Sequence, residues 1–250
     1  MGSWWVSDDP HGPLKVYAEP VRDRTYVLGA DACEGRGSEG DNACVQILDA
    51  ETWEQVAVWC DRVDPDEFAQ VVLDMARWYE EAFVVLESQG GGQEVSRLLT
   101  KGEWFHRWRR KEWDRMGNEY KMQWDWHTNS KSRPVLVAGL RSAVRTRRLT
   151  IHDPDTIEEM MGWARLPTPR GGLKEGPADS DGHDDRIIAL GLAIQGVLLD
   201  VAWDEDETGM EEKGLPPAER RKGAWLVKRQ AKQRGSDWGG GDDDFGDHWS

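Results

Sequence analysis

The sequence predicts an α/β fold built on a mixed sheet, an antiparallel meander first and parallel strands after it, flanked by helices. Three strand-length apolar runs, Thr25–Ala30, Ala43–Leu48 and Trp53–Trp59, follow one another with only turn chemistry between them. A compact, nearly all-apolar run, Phe83–Leu86, then stands alone between two stretches of helical periodicity, as a central strand buried on both faces would. The last periodic stretch, from His183 to about Val201, is apolar on nearly every side and reads as a buried helix.

Taken in order, Leu14–Val21 is a peripheral strand or a lead-in. Tyr26-Val-Leu-Gly-Ala-Asp31 closes an apolar run with a carboxylate, and the glycines behind it turn the chain sharply into Ala43–Leu48. The short Asp49-Ala-Glu-Thr connection makes a hairpin of the next two strands. A helix follows with Asp64 as N-cap, Pro65 in its first turn and Glu67 completing a capping-box-like pattern. Its core stripe is Phe68, Val71, Val72, Met75 and Trp78. Gln93–Leu99 is the helix after the central strand. Trp104–Trp126 reads as an amphipathic hairpin turned at Gly117-Asn118, most of its tryptophans packed inward and its cations solvated, the alternative being a DNA-facing surface whose cations neutralise phosphates and where an aromatic stacks on a base. Val135–Arg147 is a helix, Leu149–His152 a short strand, and Pro154–Trp163 a helix capped by Asp153. A Pro- and Gly-rich loop from Leu166 to Asp181 is placed to lie over a site.

These elements give a lead-in at 1–24, one domain at 25–203 and a charged tail at 204–250. Acidic residues outnumber basic ones by 47 to 32, a formal charge of −15, which argues against a protein that coats nucleic acid generally. It leaves room for a carboxylate-rich site that meets DNA through local basic strips. Cys33, Cys44 and Cys60 are odd in number and lack CxxC spacing, so neither a disulfide nor a zinc site is expected, and a reducing, cytoplasmic setting fits. The longest apolar run, Ile187–Leu199, is too short and too interrupted to span a bilayer, and no membrane association is expected.

Chemistry concentrates where strands end. Asp31 and Glu87 each close a strand, while Asp184 and Asp185 open the last helix. In a mixed sheet of this order the first and fourth strands can lie side by side, with the last helix starting beside both. The carboxylates would then converge. Such a group repels itself unless cations neutralise it. Hard oxygen ligands suit Mg²⁺ or Mn²⁺, and two such ions supply what phosphodiester hydrolysis needs. The bland alternative is that these acids merely cap strands and a helix. Two basic clusters, Arg107, Arg109 and Arg110 in the Trp-rich hairpin and Arg145, Arg147 and Arg148 at a helix end, are candidate DNA contacts. Good dipole chemistry alone explains a basic helix end equally well.

The stretches Tyr-Val-Leu-Gly-Ala-Asp31-Ala-Cys-Glu-Gly with Gly40-Asp41, Val-Val-Leu-Glu87-Ser-Gln-Gly, Trp126-His-Thr-Asn-Ser-Lys131 and Gly-His183-Asp184-Asp185-Arg-Ile-Ile-Ala-Leu-Gly-Leu-Ala occur in that order. Together they resemble the ribonuclease-H-like nuclease domain of the large terminase subunit of tailed bacteriophages, over roughly Tyr26 to Val201. The resemblance implies a metal-dependent endonuclease that cuts concatemeric viral DNA during packaging, using two divalent cations, Mg²⁺ or Mn²⁺. It implies that Asp31 bridges the metals, that Glu87 binds one, and that Asp184, Asp185 or both complete the site, with Asp41, His183 and Lys131 auxiliary. It further implies double-stranded DNA as substrate, a terminase ATPase domain, small terminase subunit and portal as partners, and a place in the host cytoplasm and transiently at the procapsid. Gln89 stands where that family usually has Asn.

The chain has no Gly-x-x-x-x-Gly-Lys-Ser/Thr motif, and Gly90-Gly91-Gly92 lacks the following Lys-Ser/Thr, so ATP-driven translocation is not expected of it. The motor would lie elsewhere in a longer chain or in a separate product. A junction resolvase or another ribonuclease-H-like nuclease would keep the same carboxylates. A module that mainly docks the packaging motor on the portal is the non-enzymatic alternative.

Overall fold

The computed structural model describes residues 9, 11–35, 42–114, 116–167, 173–178 and 183–206. Those up to Asp204 belong to one compact unit. Asp41, most of the loop at 168–182 and the tail beyond Asp206 lie outside the described residues.

Five strands form the central sheet in the order β1 (Leu14–Val16), β4 (Gln55–Asp61), β3 (Ala43–Asp49), β2 (Tyr26–Asp31), β5 (Phe83–Leu86). The expected meander is β2–β3–β4, with β1 antiparallel on its outer edge and β5 parallel to β2. Beyond β5 the sheet continues in two fragments. The amide of Val84 donates to the His106 carbonyl at 3.1 Å and that of Trp108 to Val84 at 2.8 Å; further along, Trp126 donates to Leu86 at 2.8 Å. Between these fragments a hairpin of β6 (Arg109–Asp114) and β7 (Glu119–Trp124) leaves the sheet edge and returns. Its turn is at Gly117-Asn118, with Asn118 at φ 49°, as turn chemistry requires.

Strand alternation divides the core. Tyr26, Leu28, Ala30, Val84 and Leu86 face α1 (Pro65–Trp78) and α2 (Gly92–Lys101), whereas Val27, Leu48 and Val85 face α3 (Ser132–Arg145) and α5 (Asp185–Asp206). α5 crosses the sheet at very close range. A Cβ on Gly29 would lie 2.0 Å from the Ala189 carbonyl oxygen, and one on Gly196 would lie 2.5 Å from the Val27 side chain. Glycine on both elements is what lets strand and helix backbones approach this far.

Several expectations are corrected. Cys44 and Cys60 form a disulfide, because they stand directly opposite each other on β3 and β4 with Cα atoms 4.3 Å apart; only Cys33 is free, and it is buried. Asp64 starts α1 ahead of Pro65, but its side chain makes no cap hydrogen bond. Leu149–His152 is not a strand: Thr150 makes a single bridge to Glu54, and the chain then enters α4 (Pro154–Met161), which Asp153 caps through the Thr156 amide at 2.9 Å. Residues expected to continue α4 and to form a loop instead make a second hairpin, β8 (Trp163–Pro167) with β9 (Leu173–Pro177). No helix among the described residues is long and apolar enough to cross a membrane.

Candidate active site

Asp31 and Glu87 come together through strand register. Ala30 is the parallel partner of Leu86, and the Glu87 amide donates to the Ala30 carbonyl at 2.9 Å, so the two acids stand one step further on, side by side at the end of the sheet. Alternation points both to the α5 face, the face of Val27 and Val85. Gly196 packs over Val27 and Ala189 over Gly29, so α5 runs opposite to β2. From Gly29 to Asp31 the strand advances about 7 Å, and from Ala189 back to Asp185 the helix advances about 6 Å. The first turn of α5 therefore begins over Asp31.

That turn is tightly held. The Asn42 amide donates to Asp185 Oδ2 at 2.9 Å, and His183 Nδ1 lies 3.8 Å from the same oxygen. The next residue, Arg186, is anchored by Glu159 at 2.9 Å. A buried polar chain leads on from there: Asp153 lies beside Arg186 and accepts from Thr156, Thr156 accepts from Gln46, and Gln55 donates to Gln46. These contacts tie α4, β3 and β4 to the start of α5. Asp185 is almost completely enclosed.

Asp184 faces the other way, toward Glu87. Arg133, in the first turn of α3, holds Asp184 Oδ2 at 2.8 Å. Burial pushes the Glu87 carboxyl above the usual carboxylate range and the nearby Asp184 charge adds to this, while the Thr128 hydroxyl and the Arg133 cation pull it back. Gln89 donates to the Thr128 carbonyl and so fastens the loop after β5 to the loop before α3. Arg133 is the site residue that the motif reading missed. The available signal was an inversion: α3 carries no acid in its first turn, where the helix dipole favours one, but has Arg133 there and Lys131 just before it.

The remaining candidates separate clearly. Lys131 is exposed at the start of α3, near Thr128, and His183 is half-exposed beside Asp185. Arg107 is not a surface cation. It is fully enclosed, pairs with fully enclosed Asp125 at 3.0 Å, bonds Ser96 and Thr100, and lies 4.6 Å over the Trp124 ring. Desolvation makes its proton easier to lose than an ordinary arginine's. Arg110 is committed to the carbonyls of Trp124 and Asp125 at 2.7 and 2.6 Å. Arg109 also lies over Trp124, 3.9 Å from its ring centre. The expected arrangement of the hairpin, tryptophans inward and cations outward, is thus reversed at Arg107 and at Trp113, which is 46% exposed. Arg145, Arg147 and Arg148 are exposed, but they sit at the far end of α3, about 18 Å of helix from Arg133.

A hard divalent cation suits these donors by chemistry: carboxylates from β2, the end of β5 and α5, one of them buried enough to resist ionisation without a counter-charge. Their side chains do not form a ligating group as they stand, since no cluster of three or more His, Cys, Asp or Glu among the described residues could hold a metal ion. Arg133 now supplies the positive charge at Asp184, and Asn42 occupies Asp185.

A meander with a parallel strand added beside its first strand, acids at the ends of those two strands and a helix crossing them define a ribonuclease-H-like fold. The chain has, more particularly, the fold of a large terminase nuclease domain. It is similar to the large terminase nuclease from thermophilic phage G20c, at 17% identity over 75% of this chain and 90% of that one, with a TM-score of 0.59. The G20c nuclease with bound cobalt gives 18% identity, 75% and 89% coverage and a TM-score of 0.60. The Thermus phage P74-26 large terminase nuclease domain gives 19% identity, 74% and 86% coverage and 0.55. No protein-family model and no curated protein matches the sequence.

Proposed function

We propose that this chain is a metal-dependent endodeoxyribonuclease of a viral genome-packaging terminase, cutting concatemeric double-stranded DNA. The observation that carries the reading is the meeting of Asp31, Glu87 and the first turn of α5 at one end of a sheet with the terminase nuclease fold. Asp31, Glu87 and Asp184 would hold Mg²⁺ or Mn²⁺, with Asp185 beside them. Two such ions, when bound, would activate water for attack on a phosphodiester and stabilise the leaving oxygen.

The protein's own groups have definable tasks. Asn42, Glu159 and the buried Gln46–Gln55 pair fix the start of α5, so that Asp184 and Asp185 are presented without searching. Gln89 ties the loop after β5 to the loop before α3, and the half-buried Glu87 carboxyl beside them would be favoured in its charged form by a cation. Arg133 supplies that counter-charge to Asp184 in this structure and would be free to meet a substrate phosphate where a divalent cation took its place. Exposed Arg145, Arg147 and Arg148, with Lys131 nearer the acids, would neutralise DNA backbone charge. The ATPase domain, small terminase subunit and portal are the partners this reading implies, in the host cytoplasm and transiently at the procapsid.

The test is cleavage of supercoiled plasmid by the full chain. Wild type should nick and linearise DNA in Mg²⁺ or Mn²⁺ and stop in chelator, while Asp184→Asn should lose at least about 100-fold in rate, the scale of losing an electrostatic catalytic group. Equal cutting with and without chelator would overturn the proposal.

A further inference from the structure

The β6–β7 hairpin has two chemically different faces. Register places Arg110/Gln123, Glu112/Lys121 and Asp114/Glu119 on one side and Arg109/Trp124, Lys111/Met122 and Trp113/Tyr120 on the other. On the first face charges neutralise each other: Arg110 pairs with Glu112 at 3.2 Å, and Lys121 with Asp114 at 2.5 Å and Glu119 at 3.7 Å. The second face holds no carboxylate. Arg109 and Lys111 make no ion pair among the described residues, and the guanidinium of Arg109 lies 3.9 Å from the centre of the Trp124 ring. Trp113 and Tyr120 stack edge to face at 4.9 Å, yet stand 46% and 70% exposed, and Met122 is 40% exposed.

Large aromatics are costly to leave in water, and here they are displayed at the end of a stiff arm. The root of the arm is locked by the Arg107–Asp125 pair and by the Asp125 amide donating to Trp108 at 3.0 Å. That root adjoins the candidate site, because Trp126 is the sheet partner of Glu87. Six residues of strand carry the Trp113/Tyr120 pair about 20 Å outward.

We infer that this cationic, aromatic face docks unpaired DNA, a single strand or a frayed end, whose phosphates meet Arg109 and Lys111 and whose bases stack on Trp113 and Tyr120. Charge selects the occupant: the face offers cations and π surfaces with no acid, the combination that binds a polyanion with exposed bases. In an intact duplex the bases are already stacked, so the aromatics would have nothing to take. The inference rests on the nuclease reading, since it assigns the substrate strand a path from Glu87 along the hairpin.

Fluorescence anisotropy of the full chain in chelator, with a labelled single-stranded oligonucleotide and a blunt duplex of the same sequence, tests it. The Trp113→Ala/Tyr120→Ala double variant should bind the single strand about tenfold or more weakly than wild type, with duplex affinity within about twofold. Trp113→Phe, which keeps a stacking ring, should retain most of the affinity, and Lys121→Ala on the opposite face should change nothing. Near-ultraviolet circular dichroism checks that each variant is folded. Unchanged single-strand affinity in the folded double variant, the result a protein-docking face would give, overturns the assignment, as does an equal loss on both DNAs, which would mean contact to the backbone alone. Plasmid cleavage by wild type, run in parallel, separates the two readings. A chain that cuts while its hairpin variants bind normally loses only the hairpin assignment, and one that neither cuts nor binds loses the nuclease reading too.

Discussion

Two arginine–aspartate pairs of nearly equal length stand in opposite surroundings in this molecule. Arg107–Asp125, at 3.0 Å, is wholly enclosed, whereas Arg133–Asp184, at 2.8 Å, has both side chains about 30% exposed. The first is ringed by Ser96, Thr100 and Trp124 and lies at the root of a hairpin, where Asp125 takes a left-handed φ of 66°. The second opens on Glu87 and solvent. A sealed pair has nowhere to go, because separating it strands a charge in a low-dielectric interior. An open pair can trade its cation for another. Distance alone therefore does not distinguish a structural staple from a replaceable counter-charge; enclosure does.

The largest effect expected from that contrast is at the sealed pair. Arg107→Ala should cost about 3–5 kcal/mol of stability, since it leaves Asp125 buried and unpaired. Denaturant unfolding measures it. An Arg107→Met/Asp125→Leu double variant should recover most of the loss, as exchange of a buried pair for apolar side chains often does. If Arg107→Ala proves neutral, the hairpin root is open to water.

At the open pair the expected change in stability is small and the change in function large. Arg133→Ala should shift unfolding by no more than about 1 kcal/mol, because a partly solvated pair contributes little. It should lower the rate of DNA cleavage about tenfold or more, through loss of the cation proposed to meet the substrate phosphate. A stability loss matching that of Arg107→Ala would make the two pairs equivalent.

The smallest effect is a pH dependence in chelator. Burial and Asp184 raise the Glu87 carboxyl above its ordinary range, so the folded state holds that proton more tightly than the unfolded chain. Its stabilising contribution is fully present below the unfolded value of about 4.3 and is lost as pH rises through the folded one. Glu87→Gln should therefore raise the melting temperature at neutral pH, by a gain on the order of 1 kcal/mol or less, and the gain should vanish below about pH 4. In an Arg133→Ala background the gain should grow, since Arg133 now offsets the charge. A gain independent of pH would mean that Glu87 is not perturbed by its surroundings.

The contrast also marks how far sequence carries. Apolar runs and helical spacing located β2 to β5, α1, α2, α3 and α5, because burial writes period and length directly into residue type. Asp31, Glu87, Asp184 and Asp185 were legible because each stands at the boundary of such a run. Arg107 and Arg133 were not distinguishable in role: both are arginines in basic stretches, and only tertiary enclosure separates them. The Cys44–Cys60 disulfide was equally hidden, since its partners meet through β3–β4 register and not through local spacing. Most of β8–β9 was read as a loop, with Trp163 as a helix end, because Pro167, Gly171, Gly172 and Pro177 dominate the composition, although Trp163–Pro167 pairs with Leu173–Pro177.

The central claim is that Asp31 belongs to a cation site and does not merely close β2, and Asp31→Asn tests it most directly. Asparagine keeps the shape but removes the charge that a shared ligand offers to cations. Mn²⁺ titration by calorimetry, DNA cleavage in Mn²⁺, and a melting curve in chelator should be measured on wild type and variant. Mn²⁺ binding and cleavage should be lost while the protein in chelator melts at the same temperature or slightly higher, relieved of repulsion from Glu87, Asp184 and Asp185. An Asp31→Asn protein that melts lower in chelator, yet binds Mn²⁺ and cuts DNA as wild type does, would contradict it and leave Asp31 as a structural strand cap.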